Sequence, residues 1–409
     1  MKLRRKLYKK LCVQRMHFII FGKNAAFFYI LWAYNLRRGK RARNFSVVAL
    51  GLRLFSFVVI YFWRKNMDTK QSKNANLHRA KKEKNDEFYT QLSDIENELK
   101  HYKKHFKNKV VMLPCDDPME SYFTIYFLQH FKELGLKRLI CTCYKGSKVA
   151  FTEYTLFDYI EELNGEKKKS NDDDGIEKNG YVMDIKAVPE QINEQEVRKL
   201  LKKKGVVSKL NGDGDFRSDE VKKYLEQADI VVTNPPFSLW REFVAELEEY
   251  KKEFLIIGNQ NSTGYKEIFK LFKNNKIWFG YNNVKHFVTP SGTIQDFGNI
   301  SWFTNLDIDK RYEKIDLYKE YKEHENDYPK YNNYDAISVN KIADIPKDYS
   351  KAMGVPTTFL TKYNPEQFEI IGADFELAQP YKLKDGKYGT GRFYENGNRL
   401  FQRIIIKTK

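Results

Sequence analysis

The chain has 409 residues, a formal net charge of +18, 42% apolar residues and four cysteines, Cys12, Cys115, Cys141 and Cys143. That apolar share excludes an intrinsically disordered chain, and so few thiols exclude a disulfide scaffold; the length allows a substantial core and a second domain. The charge is uneven: residues 1–66 hold 16 of the 72 lysines and arginines and no acid, so the rest carries 56 basic against 54 acidic side chains. Affinity for a polyanion must then come from a localised basic face on a nearly neutral body.

Residues 1–66 interleave basic clusters with two apolar stretches, Phe18–Tyr34 and Ser46–Trp63. The second is of marginal length for a membrane span and carries Arg53, costly in hydrocarbon, near its middle. No small-residue cleavage site follows that would suit a secretory signal. Met67 opens a polar lead-in and is expected to be the functional start, which leaves 1–66 as an extension outside the functional fold. A membrane or lipid-surface anchor and a packed helical accessory are the alternatives, and a membrane partner arises only if 1–66 are translated. Next, Phe88, Tyr89 and Thr90 interrupt a Lys- and Glu-rich segment. Aromatic faces stabilise cations, and the same side chains would also pin an N-terminal arm to a core.

From residue 110 the pattern alternates. Strands are expected at 110–114, 138–143, 181–185, 229–233, 254–258 and 276–279, and helices at 119–134, 195–204, 218–227, 239–251 and 265–273. This is the α/β class, with a doubly wound, mostly parallel sheet. The first strand runs into Pro114 and then Asp116-Asp117-Pro118, a loop whose acids can accept hydrogen bonds from amine or hydroxyl groups of a cofactor. The plainer reading makes Pro118 the first residue of a helix. Cys141 and Cys143 fall on the second strand and are expected on opposite faces, unable to pair or share a metal; a reducing, cytoplasmic setting fits. Residues 164–178 are charged and poor in apolar side chains, an excursion from the sheet. Gly212-Asp213-Gly214-Asp215 is a turn signal followed by Phe216.

The run Ile230–Thr233 stops on Asn234-Pro235-Pro236-Phe237. Two prolines cannot donate ladder hydrogen bonds and disfavour helix before them, so the strand ends at Asn234. In open α/β sheets ligands bind outside the carboxyl ends of strands. There the Asn234 side-chain oxygen and the Pro235 carbonyl can each accept one N–H of an amine conjugated to a ring, which favours a more tetrahedral, more nucleophilic nitrogen. Phe237 offers a face for a base. A bare strand-to-helix turn is the alternative reading.

These four residues match motif IV of the amino-group methyltransferases that use S-adenosylmethionine, and the chain resembles the EcoRI-type adenine-specific DNA methyltransferases over about residues 80–409. The resemblance also rests on Lys84 to Gln91, Val110 to Pro118, Gly212 to Ser218, Ser301 to Leu306, and Gly354 to Pro356 continuing through Tyr363 to Phe368. It implies a Rossmann-like sheet and transfer of a methyl group from S-adenosylmethionine to the N6 amine of adenine in a short DNA sequence. Asn234, Pro235, Pro236 and Phe237 would be catalytic. Phe88, Tyr89 and Thr90 (motif X), Asp116 and Asp117, and Asp215 and Phe216 (motif III) would bind the cofactor. The Phe-x-Gly-x-Gly cofactor loop common among methyltransferases is absent here, and Pro114-Cys115-Asp116-Asp117 stands in its place. No metal is required, because the leaving group departs neutral. The partners implied are double-stranded DNA with a flipped adenine and a cognate restriction endonuclease. From the residues alone, an RNA base, a protein glutamine, or a DNA-binding protein with a degenerate methyltransferase fold stay open.

After about residue 281 the alternation gives way to aromatic, polar, turn-rich sequence. The expected division is 1–66 extension, 67–280 catalytic domain and 281–409 mixed target-recognition region. Lys285, His286, Lys362, Lys387, Arg392 and Arg399 are candidates for phosphate contacts, with Tyr388, Phe393 and Tyr394 as stacking or wedge residues.

Overall fold

The computed structural model describes residues 89–145, 179–190, 192–203, 205–288 and 294–409. The extension 1–66, Phe88 and the charged segment 164–178 lie outside the described residues. Contacts divide the chain into Met1–Gln71 and Ser72–Lys409, and every described residue belongs to the second unit.

Nine strands form one sheet: β1 (Tyr89–Thr90), β2 (Val110–Leu113), β3 (Arg138–Cys143), β4 (Tyr181–Ile185), β5 (Val207–Lys209), β6 (Ile230–Thr233), β7 (Glu253–Asn259), β8 (Trp278–Val288) and β9 (Ile294–Thr304). Their order is β1-β8-β9-β7-β6-β2-β3-β4-β5. β2 and β6 are buried at every position, as continuous apolar runs require in a sheet covered on both faces. The helices are α1 (Leu92–Leu99), α2 (Lys103–Phe106), α3 (Tyr122–Gln129), α4 (Glu194–Leu201), α5 (Asp219–Gln227), α6 (Trp240–Glu249) and α7 (Lys266–Lys273). One face of the sheet packs on α1, α3 and α4, the other on α5, α6 and α7.

The sheet is mixed, not mostly parallel. β3, β2, β6 and β7 run parallel, while the five other pairings are antiparallel. Apolar periodicity reports that a strand exists; its direction is set by the connection. β8 and β9 are joined through residues 289–293 alone, too short for a parallel crossover, so the chain returns antiparallel. β8 also continues through residue 280 to Val288, so the segment expected to open the recognition region instead extends the large sheet. Cys141 and Cys143 share one face, because strand positions two apart point the same way, and both thiols are buried in the same cluster.

A second sheet of β10 (Ile337–Ser338), β11 (Met353–Pro356), β12 (Phe368–Ala373) and β13 (Arg403–Thr408), with helix α8 (Asp374–Leu377), completes the fold. Its strand order is β10-β11-β13-β12. It is not a detached region: Val355, Ile370 and Ile404 share a cluster with Phe269 of α7 and Val231 and Ile256 of the large sheet. Among the described residues no helix is long and apolar enough to cross a membrane.

The irregular stretch of β8, where the register shifts between Phe279 and Asn283, is held by one buried acid. Glu98 accepts from Tyr102 Oη at 2.8 Å, Tyr281 N at 2.7 Å, Asn282 N at 2.8 Å and Asn282 Nδ2 at 2.9 Å. Burial pushes its pKa up, and these donors pull it back down. Glu98→Ala strands buried donors and should lower the unfolding free energy by about 3 kcal/mol, read by urea denaturation.

Candidate active site

β2 feeds β3 on one side and lies against β6 on the other, in parallel register with Val111 opposite Ile230 and Met112 opposite Val231. The strand order reverses at this pair, and the crevice outside such a reversal is where open α/β sheets hold ligands. Two loops meet there. Asp116 and Asp117 follow β2, and Asn234 follows β6.

The two loops are bonded to each other. Thr233 Oγ1 donates to Asp116 Oδ2 at 2.5 Å, and Ser121 Oγ donates to Asp116 Oδ1 at 2.7 Å. Cys141 Sγ donates to the Asp116 carbonyl at 3.0 Å. Asp116 is buried, and that burial pushes its carboxyl up to about 6, against the opposing pull of the two hydroxyls. Asp117 is buried too, and its Oδ1 accepts from Met119 N at 2.8 Å. This tight turn delays α3, which starts at Tyr122 with Ser121 capping Phe123 N at 3.1 Å, not at residue 119.

In the Asn234–Phe237 turn, Pro235 is buried and the other three residues are half-buried, with Asn234 Oδ1 shielded from solvent. The Phe237 ring stands 6.3 Å from that of Phe287 at an interplanar angle of 83°. Phe287 is fully buried and pairs with Thr90 across β8 and β1. The turn and the Tyr89-Thr90 segment, 144 residues apart in sequence from Thr90 to Asn234, thus meet around one ring. Thr90 Oγ1 is buried and has no hydrogen-bond partner within the described protein. Tyr89 enters through its pairing with Val288.

Gly214 sets up the third segment. Its φ is +75°, and a Cβ there would stand 2.1 Å from the Cys143 carbonyl oxygen, so only glycine lets this turn lie against the end of β3. Asp215, next in the chain, accepts from Arg217 N at 2.9 Å, Nε at 2.9 Å and Nη2 at 2.7 Å. The Arg217 guanidinium holds its carboxyl below the usual range. Phe216 is buried edge-on to Phe243 of α6 at 5.0 Å. It lines an apolar recess with Met112 and Pro114 of the β2 end and with Glu246, whose buried Oε1 has no partner.

The candidates for reading DNA separate by burial. Phe393 and Tyr394 are core residues, 0% and 4% exposed. Arg392 is bonded at 3.3 Å to the fully buried Asp374. Lys285, Lys362, Lys387, Tyr388 and Arg399 are exposed, and the side chain of His286 lies outside the described residues. Among the described residues no group of His, Cys, Asp or Glu is placed to hold a metal ion.

The sequence profile of the family described as "Adenine-specific methyltransferase EcoRI" matches residues 76–409. The chain is 44% identical to the Type II methyltransferase M.EcoRI of Escherichia coli over 354 residues, 82% of this chain and 97% of that protein. The chain belongs to this family. It is a DNA adenine methyltransferase. It is also 36% identical to the Type II methyltransferase M.MgeORF184P of Mycoplasma genitalium, over 81% of this chain and 98% of that one. Identity to the Type II methyltransferase M.MpnI of Mycoplasma pneumoniae is 35%, over the same shares of the two chains. No solved structure matches the chain.

Three features of this methyltransferase escaped sequence reasoning. Thr233 reads as the last residue of an apolar strand, and only the neighbouring strand end reveals its hydroxyl as a clamp. Phe287 is hidden in a polar, aromatic-rich stretch. Arg217 had a local signal, its spacing of two from Asp215.

The Asp116 clamp makes a pH prediction. Its folded-state pKa of about 6 lies above the ordinary carboxylate value of 3.8, so ionisation opposes folding. The contribution is complete below about pH 4 and is lost as pH rises through about 6. Asp116→Asn can still serve both hydroxyls and removes that titration. Compared by urea unfolding at pH 4 and pH 7, wild type should lose about 3 kcal/mol that the variant keeps.

Proposed function

We propose that this methyltransferase acts on the N6 amine of an adenine flipped out of double-stranded DNA at a short sequence, with S-adenosylmethionine as donor. Asn234, Pro235, Pro236 and Phe237 form the catalytic turn in this reading. The donor supplies an electrophilic methyl group on a sulfonium. The Asn234 side-chain oxygen and the Pro235 carbonyl accept the two N–H bonds of the amine, drawing its lone pair out of the ring and toward the donor. Phe237 stacks on the base, and the rigid prolines hold the two acceptors in a non-helical direction.

The observation that carries the reading is the Thr233–Asp116 bond at 2.5 Å, which joins the turn to the β2 loop at the point where strand order reverses. The polar residues present fit a cofactor that carries amine and hydroxyl groups. The half-buried Asp215 can accept from an amine, and Thr90 Oγ1 is buried with a hydrogen bond still to make. Phe88, Tyr89, Thr90, Asp117, Asp215 and Phe216 are the proposed cofactor residues. Asp116, both oxygens of which are engaged by the protein, is proposed to act through the loop backbone and Thr233. The four parallel central strands, covered on both faces, support a Rossmann-like catalytic domain. The small sheet and its hairpins are the proposed recognition region, with residues 67–409 as the functional fold. A cytoplasmic setting with a cognate endonuclease completes the reading.

Modification-sensitive sequencing of DNA from cells expressing the full chain should reveal N6-methyladenine at one short motif, absent with Asn234→Ala. Soluble wild type that leaves no modified adenine would overturn the reading. In purified protein, Asn234→Ala should lose methyl transfer by at least about 10³-fold with cofactor binding kept. Asp215→Ala should weaken S-adenosylmethionine binding roughly tenfold by calorimetry.

A further inference from the structure

Six large hydrophobic side chains are exposed among the described residues, and five are tyrosines, whose hydroxyls reconcile them with water. The sixth is Phe401, 90% exposed. A phenyl ring held in solvent contributes nothing to the fold, and a floppy loop would let it collapse onto neighbouring apolar surface. This loop is anchored on both sides of the ring. Leu400 N donates to the Phe393 carbonyl at 3.0 Å, and its side chain packs against the cluster of Tyr331 and Phe393. Gln402 lies against Gly264, where a Cβ would stand 2.8 Å from its Oε1. Arg403 N donates to the buried Asp374 at 3.2 Å.

Those anchors also fix where the ring stands. Gly264 closes the turn Gln260–Gly264 that follows β7. β7 runs parallel to β6, with Ile256 opposite Thr233, so the turn projects from the same end of the sheet as Asn234. Next to Gly264, Tyr265 is exposed and lies under the guanidinium of Arg241 at 4.4 Å, and Arg241 is four residues past Phe237. A rim of contacts thus leads from the catalytic turn through Arg241, Tyr265, Gly264 and Gln402 to Phe401, with the exposed Arg399 beside it. Tyr388, the other strongly exposed aromatic of this region at 64%, sits on a separate Lys-rich hairpin, Tyr381–Gly389.

We propose that Phe401 is the wedge that enters the DNA stack when the target adenine leaves it. Extracting a paired base costs unstacking and unpairing, and a preset apolar ring offsets part of that cost by stacking on the bases left behind. An anchored ring does so without losing loop entropy on binding. Arg399, exposed two residues before it in the chain, carries a charge suited to a phosphate. The inference rests on the DNA-base reading of the Asn234 turn.

The test uses the full-length protein and two duplexes bearing its methylation motif, one with the target adenine paired and one with it opposite an abasic site. Phe401→Ala should lower kcat/KM on the paired duplex by roughly 10- to 100-fold. S-adenosylmethionine affinity and the unfolding midpoint should stay at wild-type values, since the ring is exposed. On the unpaired target, where extraction is already half done, the variant should recover to within a few-fold of wild type, and Phe401→Leu should retain most activity on both. An equal loss on the two duplexes, or none on either, overturns the wedge alone. A wild type inactive on both overturns it together with the reading of the catalytic turn.

Discussion

The contact on which the site depends is a hydroxyl-to-carboxylate bond between the ends of two adjacent parallel strands, Thr233 to Asp116. The turn after β6 has fewer ladder donors than an ordinary strand end, because its two consecutive prolines carry no N–H. Thr233, the last residue of β6, supplies a link across to the neighbouring strand end, and Asp116 passes it to β2 and, through Ser121, to the start of α3. Burial makes this acid costly to ionise and raises its pKa, and the two hydroxyl donors offset part of that cost.

A second layer of organisation is aromatic. Phe287 stands between Thr90 and Phe237, so a residue of the hairpin strand β8 couples the N-terminal strand to the proposed catalytic turn. The irregular stretch of β8 upstream of Phe287 is pinned from α1 by Glu98. Backbone N–H groups freed by the register shift must find acceptors, and one buried carboxylate serves two of them. The antiparallel edge of the sheet is therefore part of the site's architecture. It closes the crevice on the side away from the β2 loop.

Much of this was legible in the sequence, and for identifiable reasons. The central strands carry uninterrupted apolar runs, and the turn of Asn234 to Phe237 combines an amide, two prolines and an aromatic in a way that few structural needs require. The places where Asp116 and Asp215 stand could be read from turn-forming residues around them. What could not be read depends on partners distant in sequence. The direction of the edge strands, the engagement of both Asp116 oxygens, and the core role of Phe393 and Tyr394 each follow from a pairing or packing partner. Phe401 is the clearest case. Nothing in Leu-Phe-Gln-Arg distinguishes a buried strand residue from an exposed tip; the difference arises because Leu400 and Gln402 are both taken by other elements.

One face of the small C-terminal sheet shares the core of the large sheet, with α7 between them and Phe269 against Phe375 at 5.6 Å, while Ile405 on its other face packs in a cluster of its own with Tyr331, Ala336 and Phe393. The proposed recognition surface, mounted on a partly shared core, cannot swing independently of the proposed catalytic turn. That suits a body whose described and undescribed residues beyond 66 are nearly neutral in net charge. Weak overall attraction to DNA leaves affinity to a few placed groups, and placed groups are useful only if their distance to the reacting atom is constant. The contact of Gln402 with Gly264 sets that distance on one side of the site, as the bond of Thr233 with Asp116 does within it.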